Sequence, residues 1–176
     1  MCDIYQQGMN AEAFADEVLK TYFKNEIPSF PIDPFKMMRD FGVVYQFMNL
    51  KKLEGIYLIP ENNNDIAVAG INYNRRITRR RFTASHELCH HLKDKTSEVC
   101  DIGNRQQSTI ETYAEGFAGT LLMPLSALER EAEQYKNDGT VDLNAAFYLS
   151  IQFGVSFRAC ANRLAYSLHL LTFTSN

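Results

Sequence analysis

Thr78-Arg79-Arg80-Arg81-Phe82-Thr83-Ala84-Ser85-His86-Glu87-Leu88-Cys89-His90-His91 is the stretch on which the reading of this chain turns. Its pattern predicts a helix capped by Thr78 and running to about Leu92. Residues four apart share one face of a helix, so His86 and His90 stand one turn apart. Two imidazoles at that spacing can bind one Zn2+ at about 2.0–2.1 Å. Glu87 lies beside them, placed to serve as a general base. The chain holds four histidines and twelve glutamates. At that composition the HExxH pattern arises by chance only roughly 0.006 times per chain, which makes it a specific signal. His91 points about 100° away around the helix and is not expected to be a ligand.

A catalytic zinc needs a third protein ligand and an open fourth position. Downstream, Ser108-Thr109-Ile110-Glu111-Thr112-Tyr113-Ala114-Glu115-Gly116-Phe117-Ala118 predicts a second helix, with Glu111 and Glu115 one turn apart. Glu111 also stands three residues after Ser108, the spacing of a capping box, and Glu115 also reads as a solvated carboxylate. Spacing alone does not choose between them. Tyr113, His91 and Tyr166 are the candidates for a donor to a developing oxyanion.

Upstream, three segments are β-branched and aromatic: Val43–Phe47, Gly55–Ile59 and Ile66–Tyr73, with Asn62-Asn63-Asn64-Asp65 as a turn. Their short connections suggest a small, mostly antiparallel sheet. Ile66–Tyr73, directly before the histidine helix, is expected to form the edge along which an extended substrate adds, with Gly70, Ile71 and Asn72 in contact. Gly70 reads equally as a point of close backbone approach or as a bulge. Earlier still, Asn10 caps a helix from Ala11 to about Asn25, and Asp33-Pro34 opens a short one ending at Gly42. After Pro124, further helices are predicted from Ser126 to about Tyr135, between Asp142 and Gly154, and from Ser156 toward the tail. Strands followed by helices give an α+β class. The expected division is a core over 1–125 and a helical C-terminal part over 126–176, packed as one unit.

The 176 residues carry a formal net charge of −3 with a pI near 5.8, ordinary hydrophobic content and no bias toward nucleic acid or acidic membranes. Cys2, Cys89, Cys100 and Cys160 are scattered without a CxxC pair, so reduced thiols are expected rather than a disulfide framework. No signal peptide and no span of about 20 apolar residues is evident, and the expected location is the cytoplasm.

Two blocks carry a family resemblance: RFTxxHExxH at 81–90 and ExxAxxFAxxLLMP at 111–124. With Ile71-Asn72-Tyr73-Asn74, Phe153-Gly154-Val155-Ser156 and Arg163-Leu164, they resemble the ImmA/IrrE family of zinc metallopeptidases. The resemblance implies a zincin-like fold and one Zn2+ per chain. It implies His86, His90 and Glu111 as ligands and Glu87 as the base. Glu115 stands where that family commonly has asparagine, leaving an extra carboxylate that either supports the ligands from behind or competes as one. The implied substrate is a helix-turn-helix transcriptional repressor, often carried on a mobile element and encoded beside the peptidase.

The rival reading is a DNA-binding or regulatory module with a non-catalytic zinc site. Arg75, Arg76, Arg79, Arg80 and Arg81 make a basic run, and Ala145–Leu168 scans like a helix-turn-helix. Its second helix holds only Arg158 and Arg163, so direct nucleic-acid binding is not expected.

Overall fold

The structure, a computed structural model, describes residues 4–58, 66–93 and 105–171. Helix α1 (Ala11–Tyr22) is capped by Asn10, whose side chain accepts from the Ala13 amide at 2.8 Å. In α2 (Pro34–Asp40), Asp33 accepts from the Phe35 and Lys36 amides, and Pro34 occupies a position where no amide hydrogen is needed. Strands β1 (Val43–Met48), β2 (Gly55–Leu58) and β3 (Ala67–Asn72) follow. Helix α3 (Ile77–Lys93) carries the histidine motif, and α4 (Arg105–Leu122) carries Glu111 and Glu115. The C-terminal part comprises α5 (Leu125–Ala132), a 3-10 turn (Glu133–Tyr135), α6 (Leu143–Phe153) and α7 (Phe157–Asn162), which continues as a π-helical turn (Arg163–Ser167). Asp142 and Ser156 cap α6 and α7, and Gly154 ends α6 in the left-handed region at φ 64°. Cys89 and Cys160 are buried thiols. Cys2, Cys100, the turn at Asn62–Asp65 and most of the polar segment after α3 lie outside the described residues.

Three helix starts differ from expectation. Helix α3 begins at Ile77, so Thr78 lies in its first turn and is not its cap. Because α4 begins at Arg105, Ser108 lies inside it and cannot be the cap of a capping box with Glu111. Helix α5 begins at Leu125, with Pro124 rather than Ser126 preceding it.

The sheet is mixed, not an antiparallel meander. Its order is β1-β3-β2, with β1 parallel and β2 antiparallel to β3. The chain turns back after β1 but leaves a gap, and β3 fills it. The strand expected at the edge is therefore the central one. Its own composition explains this: Ala67, Ala69, Gly70, Ile71 and Asn72 are all buried, the mark of a strand covered on both sides. A Cβ at Gly70 would lie 2.7 Å from Met48 Sδ and 2.8 Å from Ile56 Cγ1, side chains of the two flanking strands. Pairing runs unbroken through Gln46↔Gly70 and Ile56↔Gly70, so Gly70 is a close-packing position and not a bulge.

Two clusters of buried residues organise the described chain. One joins α1, α2, the sheet, α3 and α4, from Phe14 to Leu121; the other runs from Met123 to Leu171. Phe30 packs against both. Arg81 also ties them together, donating from Nε to the Gly154 carbonyl at 2.9 Å and from Nη2 to the Ile32 carbonyl at 2.6 Å. Helix α3 is thereby clamped at the centre, between the sheet, α2 and α4. Among the described residues, no helix is long and apolar enough to cross a membrane.

Candidate metal centre

The periodicity of α3 sorts its buried polar residues into two stripes. His86 and His90 form one, which faces α4. Their Nε2 atoms lie 3.1 Å apart, and Glu111 reaches them with Oε2 3.1 Å from His86 Nε2 and Oε1 3.7 Å from His90 Nε2. All three ligand atoms fall within 4.8 Å of one another. A tetrahedral Zn2+ with bonds of about 2.0–2.1 Å needs ligand atoms about 3.3–3.4 Å apart, so this face already has the right size. Burial pushes the His86 imidazole down to about 4, helped by the His90 charge and opposed by Glu115. The neutral ring is the form that ligates a metal. Two imidazole nitrogens and a carboxylate oxygen, aimed at one point, fit a divalent cation of the zinc type.

Residues 38–165 match the family model Peptidase_M78, described as the IrrE N-terminal-like domain. The chain belongs to the M78 peptidase family. It is also similar in structure to a Mycobacterium tuberculosis transcriptional regulator, with a TM-score of 0.60 at 22% identity over 86% of this chain. That likeness shows the fold, and this chain spans only 46% of that protein's length. No match was found among curated proteins.

In this M78 chain the second stripe of α3 is Thr83, Glu87 and His91, and it faces β2. Glu87 is only 6% exposed. Burial pushes its carboxyl up to about 7; the His90 charge opposes the shift and the Glu111 charge adds to it. A carboxyl poised near neutrality can both take and return a proton. One turn further, His91 is held by two partners. Nε2 faces the Phe41 carbonyl at 3.1 Å, an acceptor only, so in the neutral ring Nε2 carries the proton. Nδ1 then accepts from the Tyr57 hydroxyl at 2.8 Å. Burial pushes Tyr57 up to about 12, which keeps that hydroxyl a donor. Tyr57 and its pairing with His91 escaped the sequence reading. The available signal was that His91 repeats the Glu87 stripe one turn on.

The remaining expected site residues divide. Glu115 is exposed one turn beyond Glu111; its charge acts on His86, but it is not in the cluster of ligand atoms. Tyr113 sits about 200° around α4 from Glu111, and its hydroxyl donates to the Met9 carbonyl at 2.9 Å. His91 is committed as described. Tyr166 is 74% exposed on the C-terminal π-helical turn. Gly70, Ile71 and Asn72 do not form a substrate edge, since β3 is central. Ile71 is core, and Asn72 is fully buried, donating to the Leu53 carbonyl at 2.7 Å and the Lys51 carbonyl at 3.3 Å. The strand that flanks Glu87 with an outer edge is β2.

Four of the five arginines of the basic run make contacts within the chain. Arg75 and Arg79 share Glu54 at 2.9 and 3.1 Å, Arg80 lies 5.2 Å from the Phe47 ring centre, and Arg81 spans two carbonyls. In the helix-turn-helix-like segment, Arg163 donates to Thr120 Oγ1 at 3.0 Å. These contacts engage Arg75, Arg79, Arg80, Arg81 and Arg163 within the chain, while Arg76 is exposed.

Proposed function

We propose that this chain is a zinc-dependent endopeptidase that cuts a protein substrate in the cytoplasm. One Zn2+ per chain would be held by His86, His90 and Glu111, with Glu87 as the general base. The observation that carries this reading is the convergence of ligand atoms of His86, His90 and Glu111 within 4.8 Å of one another, on the helix that also carries the buried Glu87 and its neighbour α4. When bound there, zinc supplies Lewis acidity, bringing the pKa of water toward 7 and polarising a carbonyl. Glu87 takes the proton of the attacking water and hands it to the departing amine. The substrate's main chain adds to the outer edge of β2, so that recognition runs through backbone hydrogen bonds beside the base.

For the substrate, the resemblance to ImmA/IrrE peptidases favours a helix-turn-helix repressor of a mobile element. The structural neighbour is itself a transcriptional regulator, which fits a regulatory setting. The test uses purified protein and the repressor encoded nearest to it. Metal analysis is expected to find about one zinc per chain. Glu87→Gln is expected to keep that zinc and lose cleavage. Cleavage by Glu87→Gln at the wild-type rate would refute the mechanism.

A further inference from the structure

The base is held from the side by a residue with no side chain. Gly55 opens β2 directly over the stripe of Thr83, Glu87 and His91. A Cβ built on it would overlap Glu87 Oε1 and Thr83 Cγ2 and would sit 3.2 Å from Glu87 Cδ. The carboxylate therefore lies in the space that any other residue at 55 would fill.

Strand β2 cannot back away to make room, because it is fastened on each side of Gly55. Asn72 holds the Leu53 carbonyl at 2.7 Å. Arg75 and Arg79 hold the Glu54 carboxylate. Tyr57 is tied to His91, and the ladder pairs Gly55 with Ile71 and Ile56 with Gly70. Of the two overlapped groups, Thr83 can relieve its contact by a change of χ1, since threonine in a helix occupies two rotamers. Glu87 can relieve its own only by swinging the carboxylate away from β2.

We propose that Gly55 is a positioning residue: its bare Cα sets where the Glu87 carboxylate stands relative to the histidine ligands. This rests on the reading of Glu87 as the proton-transfer group. A group displaced by about 1 Å from its reacting position can lose about 100-fold in rate. A Cβ at residue 55 imposes a displacement of that order.

The test is a cycle of substitutions in the zinc-loaded protein. Gly55→Ala is expected to keep the wild-type zinc content and to lower kcat about 100-fold, with KM within about twofold. In a Glu87→Asp background the shorter side chain no longer reaches the contested space. There Gly55→Ala is expected to cost less than about threefold, the two changes being strongly non-additive. Equal costs in the two backgrounds would overturn the proposal. So would recovery of Gly55→Ala by Thr83→Ser, which would put the clash at the threonine methyl instead. A readout independent of cleavage is the nuclear Overhauser contact between Gly55 Hα and Glu87 Hγ, expected in the metal-free and the zinc-loaded wild type and lost in Gly55→Ala. If the wild type cleaves nothing, the peptidase reading fails while this contact still decides the positioning. Absence of the contact in the wild type would overturn the positioning alone.

Discussion

His86 and His90 lie on one face of α3, and Thr83, Glu87 and His91 on the next, and the two faces are held by opposite means. On the first, two ring nitrogens and a carboxylate are gathered with separations of 3.1 to 3.7 Å. That donor set fits a divalent cation. On the second, the partners are supplied by the protein: the Phe41 carbonyl, the Tyr57 hydroxyl and the close approach of Gly55. It is complete without a cation. On the proposed function, one helix thus presents a metal face that needs its ligand and a base face that is prebuilt, only one residue apart in sequence.

Substitutions at the metal face should break the site outright. His86→Ala removes one of three ligands, and metal analysis should find the zinc lost, with cleavage at background. Glu87→Gln, one residue on, should leave zinc near one equivalent and reduce cleavage by about 10²- to 10⁴-fold, the usual contribution of general acid–base catalysis. If Glu87→Gln lost its zinc as His86→Ala does, the separation of the two faces would be wrong.

How much of this was legible depends on the range of the interactions. The histidine stripe, the base and the caps at Asn10, Asp33, Asp142 and Ser156 are matters of one helical turn, and local sequence encodes them. Selecting Glu111 over Glu115 from the residues alone failed, because a helix register says nothing about which turn meets α3. Strand order failed for a related reason: a short link between β1 and β2 looks the same whether they pair or leave room for a third strand. A clue did exist in β3, whose small, apolar Ala67-Val68-Ala69-Gly70 run lacks the polar alternation of an exposed edge. Gly55 was unreadable, since its importance lies in an overlap with a residue 32 positions away, which only the folded chain reveals.

The two faces also titrate in opposition in the metal-free protein. Glu87 is raised from 4.5 to about 7, so its share of stability is present below pH 4.5 and is lost as pH rises through 7. His86 is lowered from 6.5 to about 4, so its share is present above pH 6.5 and is lost as pH falls through 4. Over pH 4.5 to 6.5 the slopes nearly cancel. Glu87→Gln supplies a neutral amide in place of the neutral acid and should remove the opposing slope of Glu87. Denaturant unfolding of that metal-free variant should then show stability rising by about 3 kcal/mol from pH 4 to 6.5. A flat profile in the variant would mean that His86 is not held neutral by burial.

The smallest effect sharpens the comparison most. Tyr57→Phe deletes one hydroxyl and leaves His91 Nδ1 without its donor, a cost of about 1 kcal/mol in unfolding free energy. The ring of residue 57 still packs against α3, so β2 stays paired with β3. Zinc content should not change, because no ligand on the first face contacts Tyr57. Cleavage should fall only modestly, because Gly55 is still fastened through Leu53 and Glu54. A loss of zinc in Tyr57→Phe would show the two faces to be one cooperative unit. A loss of stability alone would show that the strand and the metal are held independently.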